Sequence, residues 1–388
     1  MLRVAIIGTG GIADSHILGY LQFPHQCRIV ALCDIYPDKA ARKAAKFNLD
    51  AKIYDNYCAL LNDDNFDLAS VCTPPYVHAP IAIRLLNAGK HVLVEKPMAT
   101  SLQECDQMLD AQQASGKLLS IVAQNRFKTP YWNVKKIVET GVIGKIVHAQ
   151  IDSFWWRGHS YYDLWWRGTW EKEGGGCTLN HAVHQIDLFQ WIIGMPAEVQ
   201  AVLANVAHDN SEVEDFSTAI LRYADGSIGQ INTSLVHHGE PQQLVIQGER
   251  AAIAAPWKVI ASKSKENGFP EPNPELEQEI QALHNSLPKL IYTGHTGQIG
   301  NVLAAIEGRE ALLIDGHAGR KTLELITAIY YAGTYDQRVK LPLATNNPFY
   351  TTEGILANAP RFYRKTKSVE NFADEDIIVG ASSEPKKF

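Results

Sequence analysis

Over the first 123 residues, short β-branched runs alternate with longer stretches that are apolar at every third or fourth position. The runs at 3–7, 28–33, 68–72, 91–94 and 118–123 predict strands, and the periodic stretches at 12–21, 37–47, 80–88 and 102–115 predict helices. Strands and helices that alternate through short loops make βαβ units on a parallel sheet with both faces covered. From about residue 145 the pattern changes to strands of period two, at 146–154, 198–207, 217–223, 227–234 and 243–247, with helices expected at 180–193, 274–287, 296–307 and 319–332. Between two of these strands Asp225-Gly226 fits a tight hairpin, a turn that needs positive φ. The expected fold is an α/β domain over 1–123, then an α+β domain over 124–388 with a large, open, mainly antiparallel sheet. The Pro- and Asn-rich stretch 267–274 reads as a surface loop, the chain after Pro342 as irregular, and residues from about 366 as a mobile tail or an arm on a partner subunit.

Composition narrows the function. With 388 residues, 46% of them hydrophobic, the chain is long enough for two cores. A formal charge of -6 without any Lys/Arg run speaks against nucleic-acid or anionic-membrane binding. No apolar run approaches the roughly 18 residues of a membrane span, and the opening Met1 to Gly8 leads into a glycine turn rather than a signal sequence. Cys27, Cys33, Cys58, Cys72, Cys105 and Cys177 show no CxxC pair, as expected of reduced thiols in a cytoplasmic protein.

Gly8-Thr9-Gly10-Gly11-Ile12-Ala13 follows a predicted strand and opens a predicted helix, the context in which G-x-G-x-x-G/A binds a dinucleotide. Gly8 makes the tight turn, Gly10 lets the backbone approach a pyrophosphate, and Ala13 stands where helix and strand pack. The helix N-terminus offers free N–H groups and partial positive charge to the phosphates. Asp34, at the end of the second strand, is placed to accept hydrogen bonds from the ribose hydroxyls and to repel a 2′-phosphate, which favours NAD over NADP even though Lys39 and Arg42 follow. Thr73-Pro74-Pro75 either lines the cofactor cleft or is a plain proline turn.

Glu95-Lys96-Pro97 sits directly after the strand 91–94, at the crevice edge where such sheets bind ligands. Pro97 holds Lys96 toward extended geometry. Taken in order and spacing, five patterns resemble the Gfo/Idh/MocA family (glucose-fructose oxidoreductase, inositol dehydrogenase, rhizopine catabolism): Gly8 to Ala13, Thr73 to His78, Glu95 to Pro97, Gly174-Gly175-Gly176 to Asp187, and Glu307-Gly308-Arg309 through the helix that ends near Ala332. The resemblance covers nearly the whole chain. It implies a Rossmann domain whose cofactor contacts include His78, Glu95 and Lys96, and NAD(P)-dependent oxidation or reduction of sugars, cyclitols or their derivatives. It also implies a C-terminal sheet that joins subunits, hence a homodimer or homotetramer.

Within Thr178 to Asp187, Asn180 and His184 are four apart, which would put both on one face of a helix that starts near Asn180. A histidine suits removal of a hydroxyl proton as hydride leaves the same carbon, and Lys96 suits stabilisation of the developing alkoxide. Many relatives have aspartate where this chain has Asn180, and an amide positions but does not relay a proton, so the acid-base work falls to His184 and Lys96. His181 is left open between a ligand and a supporting residue, and Asp187 is expected to orient a neighbour. A metal on His181, His184 and Asp187 is conceivable, but hydride transfer needs none and none is expected.

Residues 155–170 hold five of the eight tryptophans, as a core or interface cluster or as a platform for sugar C–H groups. Tyr161 and Arg167 are expected to contact substrate, as is Arg126, just after the last strand of the first domain. The reading that results is an NAD-dependent dehydrogenase acting on a secondary hydroxyl of a sugar, glycoside or inositol. Two rivals are a glycosidase-like enzyme that oxidises its sugar transiently, and a cofactor-binding sensor or repressor without turnover.

Overall fold

A computed structural model describes residues 1–370 and 372. The N-terminal domain runs β1 (Leu2–Ile7), α1 (Ala13–Leu21), β2 (Cys27–Cys33), α2 (Pro37–Lys46), β3 (Lys52–Tyr54), α3 (Tyr57–Asp63), β4 (Leu68–Val71), α4 (His78–Asn87), β5 (His91–Val94), α5 (Leu102–Ser115) and β6 (Leu119–Ile121). Its six strands lie in the order β3-β2-β1-β4-β5-β6, every pair parallel. The order reverses between β1 and β4, so the turns after those two strands open the crevice where such a sheet takes its ligand.

The chain continues with α6 (Thr129–Glu139), β7 (Ile146–Phe154), α7 (Cys177–Asn180), α8 (Val183–Ile193), β8 (Glu198–Ala204), β9 (Phe216–Arg222), β10 (Ile228–Ser234), β11 (Gln242–Gly248), β12 (Ala251–Ala255), β13 (Lys258–Ser264) and β14 (Pro270–Pro272). It ends with α9 (Pro274–Ser286), α10 (Gly294–Ile306), α11 (Gly316–Tyr335), β15 (Val339–Lys340) and α12 (Thr352–Asn358). Nine strands form one sheet, β14-β13-β12-β11-β7-β10-β9-β8-β15, antiparallel except where β10 runs parallel to β7. The Asp225-Gly226 hairpin forms as expected: Gly226 has φ +90°, and the Asp225 carboxylate accepts from the Ser227 N–H and hydroxyl.

Helices cover one face of this sheet, with Phe189 of α8 against Gly229 and α11 against Leu203. Val202 and Ile220 stand exposed on the strands β8 and β9. The C-terminal half also folds back on the first domain. Ile299, Val302 and Leu303 of α10 share one buried cluster with Val4, Ile6 and Ile17, and Gly319 of α11 lies against Ile121.

Several elements were not expected. β3 and α3 are short and follow the weakly patterned 48–63 stretch. The stretch read as a surface loop at 267–274 contains β14, an edge strand on which prolines cost no ladder bond. Past Pro342, α12 forms behind the Thr351 cap, whose hydroxyl accepts from the Gly354 N–H. The start of the expected tail is docked: the Thr366 and Lys367 N–H groups donate to Asn210 Oδ1, and Val369 bridges Leu164. The remainder of that tail lies outside the described residues.

Candidate active site

Gly8 carries φ +90°, and a Cβ there would stand 2.7 Å from the Cys72 carbonyl oxygen, so the close approach of β1 to the turn after β4 requires glycine. Two residues on, a Cβ on Gly10 would meet nothing within 4 Å. Gly10 and Gly11 are exposed, Ile12 precedes the first residue of α1, and Ala13 is fully buried beneath them. Asp34 is fixed beside this turn: its carboxylate accepts from the Thr9 N–H at 2.7 Å, the Thr9 hydroxyl at 2.8 Å and the Tyr36 N–H at 3.0 Å. The Thr73 hydroxyl is buried without a partner at the mouth of the same crevice, with Pro74 exposed and Pro75 buried beside it. Open space above Gly10, a free helix start, a carboxylate and an orphaned hydroxyl together fit a dinucleotide.

Two expected cofactor contacts face elsewhere. The His78 ring, fully buried, bridges the carbonyls of Thr73 and Pro97, each at 2.8 Å, and so ties the turns after β4 and β5 together. Glu95 turns inward as well. Its Oε1 accepts from His16 Nε2 at 2.9 Å and His295 Nε2 at 3.2 Å, and its Oε2 from the Lys96 N–H. Burial opposes charge on Glu95, but the hydrogen bonds from His16 and then His295 more than offset it and hold the carboxyl well below the usual range. Behind it, His16 Nδ1 reaches Ser70, which Tyr20 bonds in turn. His16 and His295 carried no sequence signal, since 79 and 200 residues separate them from Glu95.

Lys96 emerges on the opposite side and donates from Nζ to the backbone oxygen of Asn180 at 3.1 Å, across the junction between the domains. Burial lowers its pKa, Glu95 opposes the shift and Arg167 adds to it. The local structure of Asn180 differs from expectation. It ends the short α7, and α8 begins anew at Val183, so Asn180 and His184 do not share one continuous helix. The Asn180 amide donates back to the carbonyls of Gly175 and Gly176. That turn is tight: a Cβ on Gly176 would lie 1.9 Å from the Glu214 backbone oxygen.

His184, one residue into α8, is half-buried, and no hydrogen bond to protein contributes to its state. Burial, then Lys96, push its pKa well below the ordinary histidine value, so the ring is a neutral base at neutral pH. A cavity of about 20 Å³ lies behind Lys96 and His184, room for one water. Asp187 does orient a neighbour, and the neighbour is Arg126. The guanidinium makes a buried two-point pair with Asp187, at 2.8 and 2.7 Å, which Thr322 joins at 2.9 Å. Arg126 is therefore a brace between the last Rossmann loop, α8 and α11 rather than a residue presented to the cleft. This pairing also takes Asp187 away from His181 and His184 as a would-be metal set.

Across the cleft Tyr161 accepts from Arg167 Nη1, and its hydroxyl lies 3.2 Å from His181 Nε2. Arg167 stacks on both Tyr161 and Trp166, 4.2 Å from each ring centre, and pairs with buried Glu173. The tryptophan-rich segment divides between both readings: Trp155 and Trp170 are buried, Trp156 and Trp165 exposed.

Comparison with known proteins agrees with this geometry. The family description "Oxidoreductase family, NAD-binding Rossmann fold" matches residues 2–123, and "GFO/IDH/MocA C-terminal domain" matches residues 131–254. An uncharacterised oxidoreductase of Schizosaccharomyces pombe is 30% identical over 266 residues, 65% of this chain and 70% of that one. Myo-inositol 2-dehydrogenase of Thermotoga maritima is 26% identical over 83% of this chain and 96% of its own. Among solved structures, the WlbA dehydrogenase of Bordetella pertussis, in complex with NADH and UDP-GlcNAcA, superposes with a TM-score of 0.77 at 30% identity, covering 88% of this chain and 98% of that one. Both halves thus carry the same signature as the glycine turn and the crevice they enclose, and the chain belongs to the Gfo/Idh/MocA family of NAD-dependent oxidoreductases.

Proposed function

We propose that the protein oxidises a secondary hydroxyl of a sugar, glycoside or cyclitol to the ketone, with His184 as the base. One observation carries this reading: a neutral imidazole without a protein partner stands beside Lys96 at the domain junction. His184 takes the hydroxyl proton and Lys96 donates a hydrogen bond to the same oxygen as charge develops there. NAD, when bound, accepts the hydride and its electron pair at the nicotinamide. Asn180 holds the turn whose carbonyl positions Lys96, while Tyr161 and Arg167 contact the sugar. Asp34 selects the unphosphorylated ribose.

Relatives named for inositol and for glucosides support the substrate class: inositol 2-dehydrogenase of Salmonella typhimurium, to which the chain aligns over about half of that protein's length, and D-glucoside 3-dehydrogenase of Escherichia coli. Six free cysteines fit a cytoplasmic setting, and no helix among the described residues is long and apolar enough to cross a membrane. Exposed Val202 and Ile220 support assembly through the nine-stranded sheet into a dimer or tetramer.

A panel of inositols, free sugars and glycosides with NAD and NADP tests the reading. Steady growth of reduced nicotinamide absorbance with NAD is expected, together with its loss in His184→Ala and Lys96→Ala. Turnover of substrate without net reduced cofactor would sink the dehydrogenase, and a clear NADP preference would sink the role given to Asp34.

A further inference from the structure

Two buried N–H groups near the reacting centre have no acceptor. His181 sits in the break between α7 and α8, 9% exposed, and its Nδ1 is buried and unpartnered. Arg167 Nε is in the same condition. Both side chains are held by one phenol: Arg167 donates to the Tyr161 hydroxyl, which lies 3.2 Å from His181 Nε2. A guanidinium can only donate, so the phenol's own proton goes on to His181 Nε2 and leaves Nδ1 as an N–H donor turned away from the ring of Tyr161. Each buried donor without an acceptor costs about 1–3 kcal/mol, and native interiors rarely keep one. Two on a single hydrogen-bonded set indicate that the acceptor arrives with a ligand.

Charge decides what the acceptor is. The groups that act on His181 through space are Arg157, Arg167, Lys96 and His184, none of them acidic. Glu240 is taken by Arg157 and Glu173 by Arg167. Glu95 is held by His16 and His295, and the Lys96 ammonium meets only a backbone oxygen. Oxidised nicotinamide brings another positive charge. Trp155, edge-on to His181 at 5.8 Å, and Tyr161 complete an aromatic wall. We propose that His181 and Arg167 form a carboxylate subsite and that the preferred substrate is a sugar acid rather than a neutral sugar. A carboxylate offers one oxygen to each donor and the negative charge this wall lacks. The inference rests on the dehydrogenase reading above and names the substrate class of that site.

The test titrates the NADH-loaded protein calorimetrically with glucuronate and glucose, and with galacturonate and galactose, followed by turnover of the same four with NAD. The acid of each pair is expected to bind at least about tenfold more tightly, the effect of a charge-assisted hydrogen bond. His181→Gln and Arg167→Met should bring the ratio within about threefold of unity. Retained NADH binding shows that each variant is folded. Equal or tighter binding of the neutral sugars by wild type overturns the subsite, as does a ratio that survives both substitutions. Galactose 6-phosphate bound in preference to galacturonate would overturn the carboxylate in favour of a phosphate. Turnover of the neutral sugars alone removes the acid subsite and leaves the dehydrogenase standing, whereas tight binding of the acids without reduction of NAD removes the dehydrogenase and leaves the subsite.

Discussion

Asp187→Ala deprives a buried guanidinium of its acceptor. Arg126 and Asp187 are almost inaccessible, with side chains 4% and 5% exposed, and the pair is made at two points. Breaking a buried pair from one side costs about 3–5 kcal/mol, because the remaining charge keeps its desolvation penalty and loses its partner. Thr322 adds little to this, since its hydroxyl retains the Ala318 carbonyl. At about 2–4 °C per kcal/mol, the melting temperature should fall by roughly 6–20 °C. The paired change Arg126→Met with Asp187→Leu removes both charges and keeps apolar volume, so it should regain most of that loss. Calorimetry on the three proteins measures the coupling, and turnover should return with the fold if Arg126 is a brace. A shift below about 3 °C for Asp187→Ala, or a double variant no more stable than the single one, would refute the argument. A double variant that regains its fold but shows a raised KM would return Arg126 to the substrate.

Three further outcomes follow from the site. Gly10→Val places a side chain in open space, so stability should stay within about 0.5 kcal/mol while NADH binding, followed by fluorescence, is lost; retained binding would move the dinucleotide off this turn. Gly176→Ala sets a Cβ 1.9 Å from the Glu214 carbonyl oxygen and should cost at least about 2 kcal/mol in a denaturant titration. For oxidation His184 must be unprotonated and Lys96 protonated, and both pKa values are lowered, from 6.5 and 10.5. Both limbs of the kcat/KM profile should therefore lie below those values, and an acid limb above pH 6.5 would contradict the neutral, buried base.

Local pattern was enough for much of the first domain. The Gly8 turn, Asp34 and the strand before Lys96 are each set by residues adjacent in sequence, and their period and turn chemistry report them directly. Side-chain direction was a different matter. Glu95 and His78 stand within motifs that suggest a cofactor, yet their partners are His16, His295 and two backbone carbonyls, brought in by packing over long separations. The same limit applies to Arg126, whose topology pointed to the cleft and whose partner Asp187 took it into the core. The spacing of Asn180 and His184 misled for a further reason. Helical period assumes an unbroken helix, and the chain between them breaks at His181 and Ala182. The short β14 and α12 escaped because edge pairing and a single cap, rather than a repeating pattern, define them.

The paired residues Glu95 and Lys96 take opposite directions because adjacent side chains in extended backbone point to opposite faces. Glu95 goes to His16 on α1 and to His295 on α10, while Lys96 goes to the carbonyl of Asn180. Burial alone would strip the charge from Lys96, and the Glu95 carboxylate, kept ionised by two histidine hydrogen bonds, acts against this. One of those histidines belongs to a helix that reaches Glu95 only when α10 packs on the Rossmann core through Ile299, Val302 and Leu303. The base, His184, comes from the same half of the chain. Protonation of Lys96 and delivery of the base are thus coupled to a single packing event, and the first domain alone has neither the base nor the His295 hydrogen bond.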